Sequence, residues 1–244
     1  MLAIIGGSGL AKFGSLKSTR RQSARTPYGA PSGALTFGRI GRREVVFLPR
    51  HGYGHTIAPH EVNYRANLWA LKKAGAREVV SVATVGGIGA AMAPGVLAVP
   101  HQIIDYTSGR RSTYFEGKAA PVRHIDFTEP YSHALRKKLL AAAQACRHAV
   151  KDGGVYAATQ GPRLETAAEI ERLARDGADL VGMTGMPEAG LAREIGLEYA
   201  AIAVVANYAA GRGDSRRAIP LEKISAVLDE AMARVRRIIE ELCK

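Results

Sequence analysis

The sequence predicts an α/β fold. Short apolar runs alternate with longer amphipathic segments, the pattern of strands separated by helices. Gly75, Gly177 and Gly196 each follow a helical pattern, where left-handed caps are expected. No internal repeat, low-complexity tract or long linker interrupts this alternation, so a single domain over residues 1–244 is expected.

In chain order, Leu2–Ile5 is a strand cut short by Gly6-Gly7, and Glu44–Leu48 is a second apolar run. A helix over Asn63–Ala74 stops at Gly75. The uncharged stretch from Val79 to Pro100 is long enough to suggest a membrane span. Gly86, Gly87, Gly89, Pro94 and Gly95 instead divide it into strand Glu78–Thr84, a loop and strand Gly95–Val99. Helix Tyr131–Ala149, strand Gly154–Ala158, helix Glu165–Asp176, strand Asp179–Met183, helix Pro187–Ile195 and strand Glu198–Val205 come next. The last helix, Pro220–Leu242, opens with proline at a first helical position. Leu221, Ile224, Val227, Leu228, Ala231, Val235, Ile238, Ile239 and Leu242 give it one apolar face.

The chain has 244 residues, 47% of them hydrophobic, and a chain of this size buries roughly 70–75% of its unfolded surface. Two cysteines, Cys146 and Cys243, are too few for a disulfide framework or structural zinc, and they fit a reducing compartment. The start, Met1-Leu2-Ala3-Ile4-Ile5, lacks the basic region of a signal peptide. A soluble, cytoplasmic protein with no membrane partner is expected. The net charge of +12 points to anionic partners. However, Arg20-Arg21, Arg110-Arg111, Arg216-Arg217 and Arg236-Arg237 lie in no nucleic-acid motif and read as solvated surface. No nucleic-acid partner is expected.

Six segments carry candidate chemistry. In Gly6-Gly7-Ser8-Gly9, backbone N–H groups and a hydroxyl suit an anion, although a plain tight turn reads as well. Arg50-His51 comes after a strand, where α/β sheets bind ligands, and Arg offers a bidentate fork to phosphate with His as a donor beside it. With His55 and His60 these histidines suggest a metal, but no Cys or carboxylate cluster completes a site. Ala83-Thr84-Val85-Gly86-Gly87 stands at a strand end. Gln160-Gly161-Pro162-Arg163-Leu164-Glu165-Thr166 feeds a helix; Glu165 there either complements the helix dipole or accepts a ligand N–H. Met183-Thr184-Gly185-Met186-Pro187-Glu188 opens another helix. Asn207-Tyr208-Ala209 ends a strand, where Asn alone suits a turn.

Taken in this order the segments resemble the trimeric purine nucleoside phosphorylase superfamily, most closely its methylthioadenosine phosphorylase branch. The carrying residues are Gly6-Gly7-Ser8-Gly9-Leu10, Arg50-His51-Gly52, His55-Thr56-Ile57, Val62 through Leu71, Gly161-Pro162-Arg163, Met183-Thr184 and Pro187-Glu188. The resemblance implies one α/β domain with a mixed, partly barrel-like sheet flanked by helices, usually in a homotrimer. It implies phosphorolysis of a purine nucleoside, with phosphate as co-substrate and neither metal nor organic cofactor. Phosphate contacts carry over to Ser8, Arg50, His51, Thr84 and Thr184, and to Ala83 through its backbone alone. Met183 matches the residue under the ribose. His124, in His124-Ile125-Asp126-Phe127-Thr128-Glu129-Pro130, matches one lent by a neighbouring subunit to the 5′ side of the sugar.

Two departures set the expected substrate. The methylthioadenosine branch has Asp-Tyr-Asp where this chain has Asn207-Tyr208-Ala209, and Ser where it has Glu165. Glu and Asn at these positions resemble the inosine/guanosine phosphorylases, which makes Asn207, with His51, the expected catalytic pair. Those enzymes place a histidine on the C-terminal helix for the 5′-hydroxyl, whereas this segment reads Ile219-Pro220-Leu221. A 6-oxopurine base pocket joined to an apolar 5′ pocket is expected, suited to a 5′-methylthio nucleoside of hypoxanthine. The alternatives are methylthioadenosine or inosine/guanosine phosphorolysis and, outside the enzymes, a basic nucleic-acid-binding protein or a non-catalytic nucleoside-binding or trimeric scaffold protein.

Overall fold

The first strand sets the layering. In β1 (Leu2–Gly6), Leu2 and Ile4 pack in one core cluster while Ala3 and Ile5 pack in another, as strand alternation requires. The computed structural model describes residues 1–7, 10, 16–117, 121–219 and 221–244, and for Leu221 and Lys223 it describes the backbone only. The remaining elements are β2 (Lys17–Gln22), β3 (Leu35–Ile40), β4 (Arg43–Pro49), α1 (Tyr64–Lys73), β5 (Glu78–Gly87), β6 (Leu97–Val99), β7 (Gln102–Asp105), α2 (His133–Ala145), β8 (Lys151–Asp152), β9 (Val155–Ala158), α3 (Ala167–Arg175), β10 (Leu180–Gly182), α4 (Gly185–Glu194), β11 (Glu198–Tyr208) and α5 (Leu221–Leu242). The expected mixed sheet flanked by helices is present.

Among the described residues, eleven strands form one sheet with the path β2-β3-β4-β1-β5-β10-β9-β7, and β11, β6 and β8 branch from β5. On one face, α2 and α5 bring Leu135, Leu139, Val235, Ile238 and Ile239 against Leu2, Ile4, Val80, Val82, Ile202 and Val204. On the other, α1 and α4 bring Leu68, Leu71, Ala189, Leu191 and Ala192 against Ala3, Ile5, Val46, Leu48 and Ala201. Each fully buried Leu, Ile or Val among these contributes about 1.5–3 kcal/mol of transfer free energy.

The long strand β5 creates an opening in the sheet. Its first part pairs parallel with β1, ending at Ile5 opposite Ser81. Its last part pairs antiparallel with β10, Val181 opposite Gly86. Residues 82–85 have no strand partner on that edge among the described residues, while β11 runs parallel along the other edge. β4, β1, β5 and β11 are therefore parallel neighbours with their carboxyl ends at the opening, where α/β sheets bind ligands.

Several expectations change. β5 and β11 continue as strands through Gly87 and Tyr208, so Thr84 lies inside its strand rather than at its end, and Asn207 lies within a strand rather than after it. A bulge between Val205 and Asn207 shifts the β11 register and re-aims the last residues of the strand. β2, β3, β7 and β8 were not expected; β2 reads Lys-Ser-Thr-Arg-Arg-Gln and is exposed throughout, an edge strand without an apolar pattern. α2 is shorter than expected, starting after its Ser132 cap and ending at Ala145, and Arg147 turns the chain with φ 57°. Gly75, Gly177 and Gly196 stop helices with φ of 94°, 92° and 65°, as expected. Pro220 lies outside the described residues. No helix among the described residues is long and apolar enough to cross a membrane.

Candidate active site

The opening leads into a cavity of about 440 Å³. Arg50, His51, Thr84, Glu165, Met183, Thr184, Asn207, Ala209 and Ile219 all line it. Nine residues from six separate stretches of sequence thus meet at one concave surface. Ser8 lies outside the described residues, and the side chain of Leu221 is not described.

Arg50 is positioned by the sheet. Gly6 ends β1 opposite Pro49 of β4, and the Arg50 N–H donates to the Gly6 carbonyl at 2.9 Å. The guanidinium is fully buried. Its Nε donates to Glu188 Oε2 at 2.8 Å, and its Nη2 donates to Glu188 Oε1 at 2.9 Å and Ser81 Oγ at 2.6 Å. Nη1 donates to the Val82 carbonyl at 3.0 Å, one of the residues in the sheet opening. The remaining Nη1 hydrogen lies beside Gly7, where an added Cβ would come within 2.9 Å of Nη1. Arg50 is therefore one arm of a buried bidentate ion pair, with a single N–H left for the cavity, rather than the open fork expected from sequence.

Glu188, on α4, carries no local signal of its role. Burial alone would raise its carboxyl pKa, but the Arg50 charge and hydrogen bonds from Arg50, Ser81 and Tyr199 hold it below the usual value. Ser81 Oγ and Tyr199 Oη each donate to Oε1 at 2.8 Å. Ser81 on β5 and Tyr199 on β11 face α4, so a polar patch from three elements surrounds this carboxylate.

His51 Nδ1 is 2.8 Å from the Ile57 carbonyl, which can only accept, so Nδ1 carries the hydrogen. Desolvation and the neighbouring Arg50 charge lower the ring's pKa to about 4. The imidazole is neutral at pH 7, with Nε2 an acceptor instead of the expected donor. The His55 ring lies 4.8 Å away, centroid to centroid. Among the described residues, no three His, Cys, Asp or Glu side chains are grouped as a metal ion needs.

Thr184 caps α4 but makes no side-chain capping bond, and it is buried on the cavity wall. Ala83 is also buried, but it packs with Val85, Met92 and Val205 and does not line the cavity. Strand alternation turns Thr84 toward the cavity and Ala83 away.

The other end of the cavity is more exposed. The helix expected from Glu165 starts at Ala167, capped by Thr166 with Glu169 completing a capping box. Glu165 is thereby released from capping; it accepts from Thr159 Oγ1 at 2.6 Å. The spacing Thr166-x-x-Glu169 is the signal that separates the two glutamates. Asn207 sits opposite Gly86, and its Nδ2 donates to the Tyr208 carbonyl at 2.7 Å. Ala209 is buried against Ile88, Ala157, Ile170 and Val181. Ile224, expected only as core, lines the cavity with Ile219.

Arg110, which reads as surface charge in the sequence, is half-buried. Its Nη1 donates to the carbonyls of Met183 at 2.8 Å and Met186 at 2.6 Å, and its Nη2 donates to that of Gln160 at 2.9 Å. It ties the Met183 wall to the loop before Glu165. His124 is exposed and lies off this chain's own cavity.

The phosphorylase superfamily model matches residues 1–244. A probable S-methyl-5′-thioinosine phosphorylase of Pseudomonas syringae pv. tomato is 54% identical over 96% of this chain and 94% of its own. A 6-oxopurine nucleoside phosphorylase of Pyrococcus furiosus is 45% identical over 86% and 80%. Methylthioadenosine phosphorylase from Schistosoma mansoni in complex with adenine superposes with a TM-score of 0.94 at 32% identity, covering 99% of this chain and 90% of that one. With this fold and a match along its whole length, the chain belongs to the phosphorylase superfamily.

Proposed function

We propose that this enzyme cleaves S-methyl-5′-thioinosine with phosphate, releasing hypoxanthine and 5-methylthioribose 1-phosphate. The observation that carries this reading is the meeting of Glu165 and Asn207 with the apolar Ile219 and Ile224 around one cavity. Relatives named for the same activity and for 6-oxopurine nucleosides support it.

Hypoxanthine presents N1–H as donor and O6 as acceptor; adenine reverses that edge. Glu165, already held by the Thr159 hydroxyl, accepts from N1–H of hypoxanthine but would face a lone pair on adenine. Asn207 donates to O6 through Nδ2 and accepts from N7–H through its oxygen. N7 carries no hydrogen in the intact nucleoside and takes up a proton from solvent as electron density builds on the departing base, so that second bond forms only as the glycosidic bond breaks, which makes Asn207 the catalytic residue at this end. Phosphate occupies the end formed by Arg50, His51, Thr84 and Thr184, with Ser8 completing it. There it is both nucleophile and counter-charge to the oxocarbenium-like sugar. Met183 packs under the ribose, and Ile219, Ile224 and Leu221 receive the methylthio group. The enzyme works in the cytoplasm as a homotrimer, His124 reaching the neighbour's sugar, with neither metal nor organic cofactor.

A base-release assay with and without phosphate tests the reaction. Release is expected only with phosphate, and 5′-methylthioinosine should exceed inosine by roughly 1–3 kcal/mol in catalytic efficiency, the worth of one small apolar group. Phosphate-independent release, or equal efficiency on the two nucleosides, would contradict it.

A further inference from the structure

We infer that the anion subsite takes phosphate as the singly charged dihydrogen form, with a P–OH group donating to Nε2 of His51. This rests on the phosphorolysis reading and deepens it. The Ile57 carbonyl holds the hydrogen on Nδ1, which leaves a lone pair on the ring's other nitrogen. An anion without a proton would set its own lone pair against that one.

The charge balance agrees. The groups acting on His51 are Arg50 beside it, His55 at 4.8 Å between ring centroids, and Glu188 on α4. Arg50 is paired to Glu188 through two hydrogen bonds, so the pair adds no net charge. Burial and Arg50 keep the ring neutral, with a pKa of about 4. Thr84 and Thr184 line the same cavity with uncharged hydroxyls. Among the described residues, Arg50 offers one guanidinium N–H and its charge is balanced by Glu188, which favours a monoanion over a dianion. A bound proton becomes a criterion of recognition: phosphate and arsenate carry one near neutral pH and sulfate does not.

Calorimetric binding of inorganic phosphate and of sulfate to the wild-type protein, from pH 6 to 8.5, tests this. Sulfate is expected to bind at least about tenfold more weakly than phosphate at pH 6.5. Phosphate affinity should fall about tenfold per pH unit above the second pKa of phosphate, as the dihydrogen form disappears. In folded His51→Gln, whose amide can donate, the preference should shrink to within about threefold. Sulfate binding within about threefold of phosphate in the wild type would overturn the inference. So would an affinity for phosphate that stays flat or rises with pH, or an unchanged preference in His51→Gln. Failure of the phosphorolysis reading is distinguishable, because it shows as a lack of phosphate-dependent base release.

Discussion

The two ends of the cavity are built differently. At the Arg50 end, the working side chain is fully buried and four of its five N–H groups are committed to Glu188, Ser81 and Val82. At the Glu165 end, both polar side chains are part-buried, and each makes one hydrogen bond to a neighbouring segment or residue. The first end is wired into the sheet, so changes there disturb folding as well as chemistry. The second is attached to the scaffold at few points, so residues there can change specificity at little cost in stability.

The sharpest way to break this comparison is to remove one carboxylate from each end. Glu188→Ala leaves the Arg50 charge buried and unpaired, and it should cost about 3–5 kcal/mol in urea unfolding. Glu165→Ala should stay within about 0.5 kcal/mol. Similar losses in both variants would erase the distinction. A simple hydrogen-bond count would assign Arg50→Ala only about 1.5–3 kcal/mol. The stranded Glu188 carboxylate makes the larger cost expected there too.

A smaller effect sharpens the same contrast. His51 is held neutral with a pKa lowered from 6.5 to about 4, so the unfolded chain takes up this proton first. The contribution is fully present above about pH 6.5 and is lost as pH falls toward 4. Its slope is at most about 1.4 kcal/mol per pH unit. Glu188 also favours the fold at higher pH, but its carboxyl is held below the usual carboxylate value, so its loss comes at more acidic pH. His51→Gln should flatten the stability profile between pH 6.5 and 4; an unchanged profile would show that the ring is not held neutral by the fold.

The sequence made some of this legible and hid the rest for physical reasons. Strands β1, β4, β5 and β11 are apolar runs, and periodicity finds such runs whatever their partners. Arg50, His51 and Asn207 are legible because they stand at or near the ends of those runs. Glu188 is hidden because it is 138 residues from Arg50, and no local pattern encodes that pairing. β2 is hidden because an exposed edge strand of Lys, Ser, Thr, Arg and Gln buries nothing that alternates. Arg110 looks like surface charge because a guanidinium that donates to carbonyls leaves no sequence trace. The Glu165 boundary is readable in principle, since Thr166 and Glu169 spell the capping box. Ile224 repeats at helical spacing with core residues, and only the position of α5 against the opening separates it from them.

The central claim is that Glu165 and Asn207 read the edge of a 6-oxopurine. Catalytic efficiency on 5′-methylthioinosine and on 5′-methylthioadenosine, measured side by side with saturating phosphate, tests it directly. Mismatched buried polar groups cost about 10⁴-fold in a well-built site, and a preference of that order for 5′-methylthioinosine is expected. Efficiency on 5′-methylthioadenosine equal to or above that on 5′-methylthioinosine would contradict the assignment of both residues.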